Sequence, residues 1–225
     1  MSYLAKQWHL TPLSRLIKEL NTNVEVGLSS REAAERLSRL GPNTLITTPP
    51  PSPWLIFVHQ FQDFMVLVLL GTVIVSIFLG EFLDASAILA IVLLNSVLGF
   101  IQEYRAEKSL DSLRKMTAPY GKVIREGHKT LVDAAHLVPG DVILLEPGDR
   151  IPADARLVTS ELLSVDESTL TGESVAVAKD ERWMGGVSTS LGDLKNVVFK
   201  STLVTRGYGK AVVVTTGMDT EIGEI

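Results

Sequence analysis

Two long stretches of this sequence contain no charged residue, and they constrain the fold more than any other feature. The first runs from Phe64 to Gly80 and can be extended back through Phe57, while the second runs from Ala85 to Ile101. A bilayer core needs about 20 apolar residues per helix, and both stretches reach that length once their flanks are counted. A pair of buried helices in a soluble protein is the alternative, but two such stretches joined by so short a connection favour a transmembrane hairpin.

The charges around these stretches predict the orientation of the hairpin. The connection Glu81–Asp84 carries no Lys or Arg, whereas four basic residues follow the second stretch: Arg105, Lys108, Arg114 and Lys115. Because basic residues collect on the cytoplasmic side, we expect both ends of the hairpin in the cytoplasm and the connection outside. The predicted helices cover residues 54–80 and 82–116, and the second continues beyond the bilayer as a stalk.

Three polar side chains in and beside the hairpin receive structural interpretations. Asn95 lies within the second stretch, and because an amide in hydrocarbon needs a partner, we expect it to face other helices rather than an ion path. Asp63 and Glu81 are the acidic residues nearest the ends of the hairpin. A place among lipid headgroups is favoured for both over a role in ion entry.

Residues 1–48 have the pattern of a small helical segment. One helix is indicated by the spacing of Leu13, Leu16, Ile17 and Leu20. A second begins with a capping box of Ser29 and Glu32 and ends at Gly41-Pro42. We interpret this segment as a docking element without chemistry of its own, followed by a proline linker over residues 49–53.

From Gly121 onwards the sequence changes to short β-branched segments separated by Gly and Pro. The predicted strands are Lys122–Arg125, Asp141–Leu145, Ala155–Val158 and Lys210–Thr215. We therefore expect a compact, mostly β domain over residues 117–225. The net charge of −5 argues against nucleic-acid binding, and the absence of Cys excludes disulfides and thiolate metal sites.

The segment Val165–Ser174, with the sequence VDESTLTGES, carries the clearest candidate chemistry. Gly172 permits a tight turn that another surface can approach, and Glu173 is then presented at an exposed tip. A carboxylate held there can orient a water molecule or take its proton. Taken alone, however, Thr-Gly-Glu-Ser reads as a solvated turn.

The surroundings of this segment change that interpretation. The blocks 137–142 (LVPGDV), 147–154 (PGDRIPAD) and 215–223 (TTGMDTEIG), together with VDESTLTGES, resemble the actuator domain of P-type ATPases. The resemblance covers nearly the whole chain in the order of the family: helical N-terminal part, two membrane helices, stalk and β domain. It implies an α+β membrane protein, with a two-helix transmembrane hairpin and a distorted jelly-roll actuator domain on which the N-terminal helices pack.

The resemblance also implies a mechanism and a set of site residues. In such pumps an Asp of a separate domain takes phosphate from ATP, and the actuator loop later promotes hydrolysis of the aspartyl phosphate. Glu173 matches the glutamate that positions the attacking water, Thr171 and Gly172 shape the loop, and Ser174 supports it. Relatives often have Gly at the position of Ser201 and Pro at that of Ala176, which leaves the local turn geometry there in question.

The phosphorylation signature Asp-Lys-Thr-Gly-Thr is absent from the sequence. The 225 residues alone are thus expected to be inactive, with no cofactor or metal site, and ATP and Mg²⁺ are implied for the full-length protein. The chain stops at Ile225, where a third span is expected. The expected partners are the bilayer, the remaining domains and a transported cation.

Calcium is the favoured cation, because residues 59–64 (HQFQDF), Asn95 and the stalk 102–108 (QEYRAEK) look like the calcium-pump branch. Sodium/potassium and proton pumps remain open, as does a truncated regulator that binds a full-length pump. A β binding module on a membrane anchor is the third alternative, and the length of the resemblance opposes it. The plasma membrane is the expected location.

Overall fold

A computed structural model of the chain describes residues 8–46, 51–116 and 120–225, with side chains omitted for 111–116. These residues form two compact units. The first, here called the sheet unit, combines 8–46 with 120–225. The second, the helical unit, consists of 51–116. Each unit is described by itself below.

The N-terminal part of the sheet unit contains two helices, α1 (Leu13–Glu19) and α2 (Ser30–Leu40). The capping box predicted for α2 is confirmed: the Glu32 backbone N–H donates to Ser29 Oγ at 3.2 Å, and the Ser29 N–H donates to Glu32 Oε2 at 3.2 Å. Gly41 ends α2 with a positive φ of 83°. These local bonds satisfy the free backbone groups that every helix end exposes.

The remainder of the sheet unit is a seven-stranded antiparallel sheet. Its order is β2–β1–β3–β7–β4–β5, and β6 also pairs with β4. The strands are β1 (Tyr120–Arg125), β2 (His128–Asp133), β3 (Val142–Leu145), β4 (Asp154–Asp166), β5 (Val177–Ala178), β6 (Val197–Val198) and β7 (Leu203–Thr215). The long pair β4–β7 has four register shifts, so its strands bend where the ladder is interrupted.

Two short helices complete the unit, α6 (Ser168–Thr171) after β4 and α7 (Glu221–Glu224) after β7. Between β6 and β7, Ser201 has φ +71°, a backbone region that favours Gly. This is the position at which the sequence departs from the Gly often found in the family.

Residues 8–46 share their core with the sheet. Leu16 of α1 is fully buried in one cluster with Val142, Val212 and Phe199, while Leu28 and Ala33 pack with Val138. The Arg36 guanidinium donates to the Pro139 carbonyl at 2.7 Å. Helix α1 therefore shares a hydrophobic cluster with the strands, whereas α2 packs in a separate, smaller cluster of the same unit.

A buried polar cluster joins segments that are far apart in the sheet unit. The Asn43 amide donates to the carbonyls of Ala134 and Pro152 at 2.9 and 2.8 Å. Its oxygen accepts from the Gly217 N–H at 2.8 Å and from Lys200 Nζ at 2.7 Å. One side chain thus fixes the segment after α2 to both the middle and the end of the domain.

Asp154, at the start of β4, lies beside this cluster and is fully buried. Its carboxylate accepts backbone N–H bonds from Lys200 at 2.7 Å and from Glu221 at 2.8 Å. Burial nevertheless raises the pKa of Asp154 to about 7, and the nearby Glu221 carboxylate acts in the same direction. Burial also lowers the pKa of Lys200 to about 8.

The helical unit contains α3 (Pro53–His59), a 3₁₀ turn (Gln60–Gln62), α4 (Phe64–Phe78) and α5 (Phe82–Met116). Ser52 caps α3 by accepting from the Leu55 N–H at 3.2 Å, and Pro53 is its first residue. The predicted proline linker overlaps this helix at Pro53, because Pro is well suited to the first helical turn. Residues 49 and 50 of that linker lie outside the described residues.

The predicted first helix, 54–80, is broken in the structure. The segments Pro53–Gln62 and Phe64–Phe78 meet at 65°. Asp63 causes the restart, since its carboxylate accepts from the Met65 N–H at 2.9 Å as the N-cap of α4. Within the described residues, one helix, Phe82–Leu110, is long and apolar enough to cross a bilayer, and the bent pair gives a second if it forms one span.

The seam between α4 and α5 is lined by small or β-branched residues. Val73 and Ser76 of α4 are buried, as are Ala85, Val92 and Ser96 of α5. The spacing of these α5 residues, seven and then four, is that of a helix–helix seam. Asn95 is exposed on a different face, so within the described helices it does not pack into this seam.

Candidate functional site

The candidate loop begins with one helical turn, not the open loop that its composition indicated. Asp166, at the end of β4, caps the turn by accepting the Ser168 N–H at 2.9 Å. The turn α6 then runs over Ser168–Thr171 and ends at Gly172, whose φ of +76° is left-handed. A residue with a Cβ is strained in that conformation, which explains why Gly suits this position.

Glu173 is exposed directly after this glycine. Its backbone N–H donates to Thr171 Oγ1 at 3.2 Å, and that hydroxyl donates to the Glu167 carbonyl at 3.1 Å. Thr171 is half-buried, whereas Gly172, Glu173 and Ser174 are exposed. The structure therefore brings all four predicted site residues together, with the Glu173 carboxylate free to meet another surface and its backbone tied to the turn.

Sequence reasoning missed an ion pair at the base of this loop. Glu167 and Lys179 are buried, with side chains 1% and 0% exposed, and Lys179 Nζ lies 2.5 Å from Glu167 Oε1. The ammonium also donates to the Leu194 carbonyl at 2.8 Å. The available signal was a Glu and a Lys that flank the loop beside apolar strand residues, a pattern too general to single them out.

The acidic residues of the other motif blocks bind inside the sheet unit. Asp141 is fully buried and pairs with Arg125 at 2.6 Å, while Asp149 accepts from Lys122 Nζ at 3.0 Å. Asp154 belongs to the buried polar cluster described above. These three residues shape turns and hold strands together. Among the carboxylates of the motif segments, Glu173 and Asp219 are exposed, and Glu173 is the one that directly follows the turn α6 in the candidate loop.

Two family models match the chain. Residues 115–225 match the P-type ATPase actuator domain, and residues 8–76 match the cation transporter/ATPase N-terminus. The first match contains the candidate loop and the whole sheet. The second covers α1 to the greater part of α4.

Relatives with known names are similar over almost the whole chain. A calcium-transporting ATPase of Bacillus subtilis (strain 168) is 45% identical over 97% of this chain. A probable cation-transporting ATPase F of Mycobacterium tuberculosis (strain H37Rv) is 44% identical over 96%. A sodium/potassium exporting P-type ATPase of Schizosaccharomyces pombe is 39% identical over 92%. The chain spans 25%, 24% and 20% of these relatives, respectively.

Proposed function

The chain belongs to the P-type cation-transporting ATPases, and we propose that it forms the N-terminal part of an ATP-driven cation pump whose actuator domain promotes hydrolysis of an aspartyl phosphate. One observation carries this proposal: Glu173 is exposed on a loop held by a capped turn, within the residues that match the actuator domain. The sheet unit, with its antiparallel strands and packed helices, is the actuator domain, and its bent β4–β7 pair supports the distorted jelly-roll description.

Glu173 acts as a general base in this proposal. Its carboxylate orients a water molecule toward the phosphorus of an aspartyl phosphate on a separate domain and accepts a proton from that water. The new P–O bond forms as the bond between phosphorus and the aspartyl oxygen breaks, which releases phosphate and regenerates the Asp carboxylate. Thr171 and Gly172 shape the loop for this approach, and Ser174 supports it.

The helical unit is proposed to anchor the actuator domain in the membrane as a two-helix hairpin. The apolar helix Phe82–Leu110 is one span, and the bent pair Pro53–Gln62 with Phe64–Phe78 is the other. The distribution of Lys and Arg supports a cytoplasmic actuator domain and an extracytoplasmic connection at 81–84. The plasma membrane is the proposed location.

Calcium is the proposed cargo, and ATP with Mg²⁺ the proposed energy source of the full-length protein. The name of the Bacillus subtilis relative supports calcium, as does the likeness of residues 59–64 to calcium pumps. The name of the Schizosaccharomyces pombe relative favours sodium or potassium as the alternative. The cation that stimulates phosphorylation of the full-length protein by ATP decides between them.

The role of Glu173 is tested by a chase of labelled phosphoenzyme in the full-length protein. Glu173→Gln removes the charge but keeps the shape, and Glu173→Ala removes both. We expect the phosphoenzyme to accumulate in each variant and its decay to slow about 10²–10⁴-fold, the usual contribution of a positioned general base. Phosphorylation by ATP is expected to change little.

Glu161→Gln is the matched control, because it removes an exposed carboxylate elsewhere in the same domain. It is expected to leave phosphoenzyme decay unchanged. Decay of the Glu173 variants at the wild-type rate would remove this residue from the mechanism.

A further inference from the structure

The buried ion pair Glu167–Lys179 brackets the candidate loop at its base. Glu167 immediately precedes α6, and Lys179 immediately follows β5. Next to them, Val165 of β4 pairs with Val177 of β5, and the Lys179 N–H donates to the Leu163 carbonyl at 2.8 Å. The loop 168–176 is therefore closed at one end by backbone pairing and a charge–charge contact together.

This ion pair is a costly way to stabilise a domain. Burial raises the pKa of Glu167 and lowers the pKa of Lys179, and the attraction between the two opposes both changes. Apart from Lys179, no group in the described part of the chain donates a hydrogen bond to the Glu167 carboxylate. A buried ion pair is often no more stabilising than well-packed apolar residues. A contribution to stability therefore does not account for this pair, and its position at the base of the loop points to a second role.

The backbone of Glu167 leads directly to the proposed catalytic residue. The Glu167 carbonyl accepts from the N–H groups of Leu170 and Thr171 at 2.9 and 3.0 Å and from Thr171 Oγ1 at 3.1 Å. Thr171 Oγ1 in turn accepts the Glu173 N–H at 3.2 Å. A shift of Glu167 consequently moves the carbonyl on which the whole turn and the Thr171 hydroxyl depend.

We propose that Glu167 and Lys179 are positioning residues for Glu173: their ion pair fixes the base of the loop, and the Thr171 hydroxyl carries that position to the catalytic carboxylate. The inference rests on the proposed function of Glu173. Displacement of a reacting group by about 1 Å can reduce a rate by 10²-fold. Loss of the pair is accordingly expected to slow hydrolysis although neither residue touches the phosphate.

The test uses Glu167→Gln, Lys179→Met and the double variant in the full-length protein. In each single variant one buried charge loses its partner, whereas the double variant contains no buried charge at this point and nearly the same volume. We expect phosphoenzyme decay to slow roughly 10- to 100-fold in all three variants, with phosphorylation by ATP changed less than about twofold. Hydrogen exchange of residues 168–176 is expected to become faster.

The double variant separates positioning from stability. Its unfolding temperature is expected to return close to that of the wild type, because no charge remains unpaired, while its phosphoenzyme decay stays slow. Recovery of both stability and decay would show that the pair serves packing alone and would overturn the inference. If the single variants do not accumulate in the membrane, the double variant alone carries the test.

Asp141→Asn provides a matched control at another buried ion pair of the same domain, Arg125–Asp141. It is expected to lower the unfolding temperature but to leave phosphoenzyme decay within about twofold of the wild type, since it does not bind the loop. If the phosphoenzyme of Asp141→Asn decays as slowly as that of the pair variants, the slow decay results from general destabilisation and the inference is overturned. Glu173→Gln in the same assay tests the proposed function separately. If its phosphoenzyme decays slowly while the pair variants decay at the wild-type rate, the positioning role is refuted and the proposed function of Glu173 stands.

Discussion

The buried carboxyl of Asp154 is expected to make the stability of the sheet unit fall as pH rises. Its pKa is about 7 in the folded protein, against an ordinary value of 3.8. A group whose pKa is raised on folding contributes stability at low pH, and that stability is lost as pH increases through the folded value. Between pH 5 and pH 8 linkage predicts a loss of roughly 2–3 kcal/mol, at about 1.4 kcal/mol per unit of pKa difference.

The measurement is calorimetric unfolding of the chain in lipid nanodiscs between pH 5 and pH 8, for the wild type and for Asp154→Asn. Asn cannot titrate, and its amide group must face one of the two backbone N–H donors, at a cost of about 1–3 kcal/mol. We therefore expect the variant to be less stable than the wild type at pH 5 and to approach it at pH 8. The predicted change in the difference corresponds to roughly 4–12 °C in unfolding temperature for a domain of this size.

The difference between the two proteins is the relevant quantity, because His9 opposes the trend. Burial lowers the pKa of His9, so its contribution to stability is lost as pH falls. This contribution is common to both proteins and cancels. Glu161→Gln, at an exposed position, is expected to follow the wild type at every pH. The same pH dependence in the wild type and in Asp154→Asn would refute the reasoning.

Two further predictions concern backbone geometry and membrane orientation. Gly207→Ala is expected to destabilise the sheet unit by several kcal/mol more than Gly148→Ala in the same calorimetric assay. Both glycines have positive φ, but of the two only Gly207 would place a Cβ 2.3 Å from a backbone oxygen, that of Leu162. Equal losses of stability in the two variants would contradict the clash. A Cys placed at Leu83, in a chain with no native Cys, is expected to react with an impermeant maleimide only from outside the cell, and labelling only from the cytoplasmic side would reverse the proposed topology.

Features encoded by neighbouring residues were predictable from the sequence. The capping box of Ser29 and Glu32 and the long apolar helix beginning at Phe82 depend on spacing within a few positions. The break at Asp63 was also readable in principle, since an Asp directly before an apolar stretch is a helix N-cap signal. The apolar residues on both sides, Trp54–Val58 and Phe64–Phe78, favoured one continuous helix instead.

Features that depend on distant residues were predicted only in part. β4 and β7 each contain 13 residues, but the sequence indicated only the apolar segments Ala155–Val158 and Lys210–Thr215. Their polar halves, around Glu161 and Arg206, become strand because the two chains pair with each other across several bulges. Strand formation there is decided by the partner strand, which local composition does not report.

The candidate loop likewise combines a feature that depends on neighbouring residues with one that depends on distant residues. The exposure of Glu173 followed from Gly172 and the small polar residues around it, whereas the ion pair beneath it joins Glu167 to Lys179 without any periodic signal. Ser201 illustrates a third case, in which the sequence differs from the Gly often found in the family but the backbone keeps a φ of +71°. The Ser201 N–H donates to the Ile151 carbonyl at 2.8 Å, which helps to hold that conformation.

The division of the sheet unit into two sequence segments has a consequence for biosynthesis. The Asn196 amide donates to the His9 carbonyl across 187 positions, and a ribosome adding about 5–20 residues per second needs roughly 10–40 s to cover that distance. Throughout this interval Leu16 lacks partners from its cluster that are synthesised last, among them Phe199 and Val212, while the apolar helices in between have already been synthesised. In the proposed topology, completion of the sheet unit is therefore coupled to membrane insertion of the helical unit, and a chain whose helices fail to insert exposes two sets of apolar surface to aggregation at once.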